Sequence, residues 1–353
     1  MKRPTLKMPL HSFNKSASVL AVSLLTVSSL SVHASGEVNV YSARSEALIA
    51  PLLDAYSKEN QVKVNLITGK ADALLSRLKS EGSASPADVF ITVDAGRLYR
   101  AKEAGVLQAF ETDHLNAVVP EYLRDRDGYW YGLSQRARVI FYNPEKVSAS
   151  SLSSYEDLAD PKWKGQICIR SSSNIYNQSL VASMIDANGE AETLEWIKGL
   201  VANFARPPAG GDTDQLKAAA AGVCDIAVAN TYYFGRLGLS SKAEDRAVYD
   251  KLAMFWPNQT KSDRGAHVNV SGIGITASSK NKENAQQLIE FLTNEQSQKW
   301  YANVNNEYPV VEGIAPPESL AVFGEFKSDT VSLSVLGENN RQAVKLMDQG
   351  GWK

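Results

Sequence analysis

The chain has 353 residues, 44% hydrophobic and 22% charged, an ordinary globular composition with enough length for two cores. Its formal net charge of −2 gives no sign of a protein that binds nucleic acid by bulk positive charge. Four histidines and two cysteines limit what metal or nucleophile chemistry can be built.

Lys2, Arg3, Lys7 and Lys15 precede an apolar run, "ASVLAVSLLTVSSL", and then "SVHASGEV". A basic start, a short apolar stretch and small residues before a cut describe a secretory signal peptide. Val32 and Ala34 suit the −3 and −1 positions, so cleavage is expected after Ala34. The run is shorter than the roughly 20 apolar residues that span a bilayer, and no cysteine follows it for lipid attachment. Removal takes away four cations and no acid, leaving a mildly acidic mature chain. A periplasmic or secreted protein is expected, and separately a monomer.

"EVNVYSA" reads as a strand, and "SEALIAPLLDAYSKEN" as a helix capped by Ser45, with Leu48, Leu52, Leu53 and Tyr56 at helical spacing. "QVKVNLIT" alternates as a strand. "ADALLSRLKSEG" is a helix closed by Gly82, "ADVFITV" a third strand and "AGRLYRAKEAGVL" another helix. This β-α-β-α-β order predicts a parallel sheet with right-handed crossovers. "YGLSQRARVIFYNP" then crosses to a second α/β unit, with the hinge placed at Leu133 to Val139.

"SSYEDLADPKWKGQICIR" predicts a short helix, a turn and a strand. "IYNQSLVASMIDAN", "AETLEWIKGLVANF" and "TDQLKAAAAG" read as helices and "VCDIAVAN" as a strand. Cys168 and Cys224 sit in two apolar runs that suit neighbouring strands. Export points to a disulfide between them, with two buried thiols as the alternative. "HVNVSGIGITA" predicts a strand returning to the first unit, and "KENAQQLIEFLTNEQSQKWYANV" one continuous helix with Trp300 on its apolar face. The predicted lobes are residues 35–134 with about 274–315, and 135–273. Residues 316–353 form helices packed on both. Two α/β lobes joined by two crossings leave a cleft at the carboxyl ends of strands.

No G-x-S-x-G, H-E-x-x-H or Walker A sequence occurs. "GIGITA" matches a dinucleotide fingerprint on paper, but the next helix starts too late to meet a phosphate. His11 and His33 leave with the leader, and His114 and His267 are far apart. Tyrosine is the unusual resource, in the tandem pair Tyr232 and Tyr233 of "ANTYYFGRL". A phenolate is a hard anionic oxygen donor that a small, highly charged cation can deprotonate, and ferric iron is the best match. A pair of half-buried structural aromatics is the alternative.

The stretches "VYSARSEALIAPLLDAY", "EGSASPADVFITVDAGRL", "RARVIFYNPEKV", "LADPKWKGQICIRSSSNIYNQSLVASMI" and "GVCDIAVANTYYFGRL", with "HVNVSGIGI" and "NNEYPV", resemble the periplasmic ferric-ion-binding proteins. These are the substrate-binding subunits of bacterial iron ABC importers. The resemblance covers nearly the whole mature chain. It implies a class II periplasmic-binding-protein fold, two α/β lobes with a hinge and a ligand cleft, and a binding protein rather than an enzyme. It implies Tyr232 and Tyr233 as Fe(3+) ligands, with Tyr176 of "SSNIYNQS" as the third.

Family members often carry a histidine after the "VYSAR"-like strand, where this chain has Ser45 followed by Glu46, a weak candidate ligand. Some carry a glutamate after "SPADVF", where this chain has Val93. The departures match a three-tyrosine branch with a synergistic carbonate or bicarbonate. Arg44 and Arg136 would hold that anion, since guanidinium pairs in bidentate fashion with planar oxyanions. Ser173 and Asn230 are weaker anion contacts. Three phenolates neutralise a trivalent ion, and two arginines offset the anion. The implied partner is an inner-membrane ABC permease. The alternative is a sibling binder of an oxyanion, a polyamine or a thiamine-like ligand.

Overall fold

The computed structural model describes residues 36–353, and the leader expected over 1–34 lies outside them. β1 (Glu37–Ser42), β2 (Lys63–Thr68) and β3 (Val89–Val93) run parallel, as the alternating pattern predicts. The helices Ala50–Asn60 and Ala71–Glu81 make the crossovers. Gly82 ends the second of these at φ 53°, a backbone region that costs glycine nothing. Short β4 (Leu107–Gln108) follows, then twelve-residue β5 (Tyr131–Tyr142), buried along its whole length.

β6 (Ile167–Cys168), β7 (Ile226–Asn230) and β8 (Ala253–Phe255) form the second part of the sheet, and β9 (Val268–Thr276) returns the chain. The strand order is β2-β1-β3-β9-β5-β7-β6, with β4 on β9 and β8 on β5. β5 changes partner midway. Tyr131 to Ala137 pair with β9, and Arg138 to Tyr142 pair with β7. One long strand therefore belongs to both halves of the sheet.

Side chains on a strand alternate between faces. On β5 this puts Ser134, Arg136 and Arg138 on the face of Ile140 and Tyr142. On β9 it groups Asn269 and Ser271 with Ile273 and Ile275. The ladder sets Ser134 opposite Ser271 and Arg136 opposite Asn269. A patch of buried polar groups thus interrupts an otherwise apolar layer where the two strands cross. A bulge between Gly132 and Ser134 sets that register.

Several local expectations are corrected. Ser45 makes no cap: Glu46–Leu48 is a separate 3-10 turn, and the helix starts at Ala50. Pro51 lacks an N–H and fits only a first turn, which fixes the start there. The helix expected over 282–304 is two, Lys282–Leu292 and Glu295–Asn305. Asn294 caps the second by accepting from Ser297 N at 2.8 Å. The break rotates the apolar face, so Tyr301 is buried and Trp300 only half-buried. Residues 156–163 hold two 3-10 turns instead of a short helix, and β8 was not anticipated.

The helices Val335–Glu338 and Asn340–Gln349 pack on Ile175–Asn188, and the first also packs on Ala95–Glu103. The disulfide Cys168–Cys224 is formed, with Cα atoms 5.9 Å apart. It links the end of β6 to the approach to β7.

Candidate functional site

β7 ends at Asn230, and the helix Thr231–Gly238 begins at once. The turn from strand to helix answers how two adjacent tyrosines share one place. On the first helical turn Tyr232 and Tyr233 lie with ring centroids 4.3 Å apart. Tyr176 occupies the first turn of Ile175–Asn188, where Asn174 caps by accepting from Tyr176 N at 3.0 Å. Tyr232 and Tyr176 meet hydroxyl to hydroxyl at 3.3 Å. All three tyrosines named from the sequence therefore converge. Two helix N-termini point their partial positive charge at the cluster, which favours anionic oxygen.

Tyr232 is 6% exposed. Burial, then Tyr176 and Tyr233, push its phenol well above the usual range, against a smaller pull from Arg136. Burial, then Tyr176 and Asp212, also push Tyr233 up, while its hydrogen bond with Tyr232 opposes. Neither phenol ionises unaided near neutral pH. A cation must displace the protons.

Cations frame the cluster. Arg136 lies 5.2 Å and Arg170 5.8 Å from the Tyr176 ring centre, and Arg236 lies 5.0 Å from that of Tyr232. Arg136 is 2% exposed and donates Nη1 to Ser271 Oγ at 3.1 Å. Its Nε and Nη2 are buried without a protein partner. An unmatched buried cation is costly, so these groups suit an incoming anion. A small pocket beside them is lined by Arg136, Arg138, Tyr176, Asn230, His267 and Asn269.

Arg44 reaches the same place from the loop after β1. It donates to Ser271 Oγ and, at 3.3 Å, to both carboxylate oxygens of Glu307. Burial alone would lower its affinity for the proton, but Glu307 and then Tyr301 raise it. Asn230 borders the pocket, yet its Oδ1 accepts from Arg138 at 3.1 Å and its side chain caps nothing. Ser173 is exposed and tied to Ser171, and Glu46 is exposed on its 3-10 turn. Neither is brought to the tyrosines by a hydrogen bond.

Sequence reasoning missed four groups here. Arg138 donates to Asp212 at 3.0 Å, Asn230 at 3.1 Å, Asn177 at 2.6 Å and the Val228 carbonyl at 3.3 Å. It joins β5 to β7, to the helix that carries Tyr176 and to Asp212 at the start of the helix Asp212–Ala220. The "RAR" spacing on a strand was its signal, since i and i+2 share a face. Asp212, fully buried, also accepts from Asn230 N at 3.1 Å and so holds the start of the tyrosine helix. His267 is buried, and burial, then Arg264, Arg138 and Arg136, push its imidazole down to about 3, leaving it neutral.

Glu307 is the fourth. Burial by itself would push its carboxyl up, but Arg44, Arg136 and a hydrogen bond from Ser134 together hold it below the usual carboxylate range. Among the described residues no cluster of three or more His, Cys, Asp or Glu is placed to hold a metal. The hard donors brought together are phenols.

A sheet with two halves sharing β5, and a polar site where they meet, define a substrate-binding protein of the two-lobed periplasmic type. The sequence profile described as bacterial extracellular solute-binding protein matches residues 52–328, and the chain belongs to that family. It is a transport binding protein and not an enzyme. It is 52% identical over 317 residues to iron uptake protein A1 of Synechocystis sp., covering 90% of this chain and 88% of that one. It is 32% identical over 349 residues to the Fe(3+)-binding periplasmic protein of Serratia marcescens, covering 98% and 99%. Among solved structures, a Trichodesmium protein (IdiA, FutA) in complex with iron and citrate superposes with a TM-score of 0.88 at 54% identity, covering 90% of this chain and all of that one.

Proposed function

We propose that the chain binds ferric iron in the periplasm through the phenolates of Tyr176, Tyr232 and Tyr233, and hands it to an inner-membrane ABC permease. The protein acts as a monomer. A carbonate or bicarbonate completes the coordination, held by Arg136 with Arg44 behind it. The observation that carries this reading is the convergence of three phenols, two of them 3.3 Å apart, beside a buried guanidinium with free N–H groups.

Three phenolates cancel the charge of a trivalent ion in a site too buried to tolerate an excess. Hard oxygen donors select against softer divalent ions. The relatives named above, one an iron uptake protein and one solved with iron, support the same cargo. The lobes expected over 35–134 with about 274–315, and over 135–273, place the hinges in β5 and β9. Ser173 and Glu46 take no part.

The test is ferric titration with bicarbonate, followed by the visible phenolate-to-iron charge-transfer band. The wild-type protein is expected to turn orange to purple. Tyr232→Phe is expected to lose the colour and tight binding while keeping its fold by circular dichroism. A Tyr232→Phe protein that colours and binds like wild type would refute the ligand assignment.

A further inference from the structure

Glu307 lies just beyond the helix Glu295–Asn305. Its neighbour Tyr308 exchanges two backbone hydrogen bonds with Gln135, each 2.7 Å. That pairing presses Glu307 against β5 at the bulge. The carboxylate is 3% exposed, accepts from Ser134 Oγ, and pairs with Arg44 at 3.3 Å. The Ser271 hydroxyl accepts from both Arg44 and Arg136, which its two lone pairs allow. Two guanidinium groups and one carboxylate therefore form a single buried row behind the tyrosines. Arg44 is compensated within the protein. Arg136 has only the Ser271 hydroxyl.

We propose that Glu307 sets the charge of the anion the site accepts, by cancelling Arg44 and leaving one buried cation, Arg136, to be matched. This rests on the ferric reading above. A ferric ion with three phenolates is neutral, so the accompanying anion meets the net charge of this buried row, while Arg138 and Arg170 are paired with Asp212 and Arg236 donates to the Asn305 carbonyl. One surplus charge fits bicarbonate. Two would favour a more highly charged anion such as phosphate. Glu307 is thus a positioning and specificity residue that touches Arg44 and not the metal.

The experiment measures ferric loading by the visible band with bicarbonate or inorganic phosphate as the added anion. Wild type, Glu307→Gln, Arg44→Gln and the double variant are compared. Iron is delivered from one chelate throughout, so solution complexation cancels between variants. Glu307→Gln is expected to raise the phosphate-to-bicarbonate preference on the order of tenfold, as one uncancelled charge at short range would. Arg44→Gln is expected to lower it, because Glu307 then cancels Arg136. The double variant should return to within about threefold of the wild-type ratio.

A purely structural Glu307 would lower the thermal midpoint and leave the ratio unmoved, and that result overturns the proposal. Single variants that shift the ratio in the same direction, or a double variant that keeps the Glu307→Gln shift, overturn it too. If Glu307→Gln does not fold, Arg44→Gln and the double variant still decide. A wild-type protein with no coloured complex in either anion refutes the ferric reading itself, a separate outcome.

Discussion

Tyr232 shows how burial shapes the chemistry of one residue. In water its phenol would ionise near 10, and here burial and two neighbouring phenols move it higher still. Tyr233 moves the same way. The free protein holds both protons at neutral pH, and a bound trivalent ion would expel them. Lower pH therefore opposes binding and higher pH favours it. At a fixed concentration of free ferric ion, affinity should fall about tenfold per released proton for each unit of pH lowered. Calorimetry in two buffers of different ionisation heat counts the protons, and at least two per ion are expected. Binding without proton release would mean the phenols are not ligands.

At the scale of elements, β6 and β7 carry much of the burden of placing the tyrosines. β7 delivers Asn230 and the helix that follows it, while β6 leads into the loop before Tyr176. The disulfide ties the two strands across a separation of 56 residues. Closing a loop of that size restricts the unfolded chain, and removing such a bridge typically costs about 2–5 kcal/mol. The double variant Cys168→Ala with Cys224→Ala should lose stability in that range by urea denaturation. A loss under about 0.5 kcal/mol would show that the strands hold without it.

For the molecule as a whole, Trp352 and Lys353 brace the loop before Tyr176. Trp352 is buried, stacks edge-on to Phe204 at 5.8 Å and donates Nε1 to the Arg170 carbonyl at 3.1 Å. Ser172 N donates to the Lys353 carbonyl at 3.2 Å. The last two residues thus hold the loop that leads into Tyr176. Trp352→Ala should cost about 3–5 kcal/mol, as large-to-small changes in cores do. It should also weaken ligand binding, because the loop loses its support. A thermal melt and a ferric titration check both, and unchanged affinity would uncouple the tail from the site.

Elements with an unambiguous period are readable from residue order alone. β1 to β3 and their crossovers follow from alternation and helical spacing, and "IYNQSLVASMIDAN" is the helix Ile175–Asn188 residue for residue. Tyr232 and Tyr233 stand out as a tandem pair and Tyr176 comes from the resemblance of "SSNIYNQS", whereas their places on the first turns of two helices belong to the fold. The break at Asn294 was not legible, because a cap and an interior asparagine look alike until the next turn is placed. The folded chain brings residues 56 positions apart together, hydroxyl to hydroxyl. It alone decided that Arg44 already has Glu307 as a partner while Arg136 has no carboxylate. Local pattern governs hydrogen bonds within a strand or helix, but the pairing of buried charges depends on which faces the folded sheet brings together.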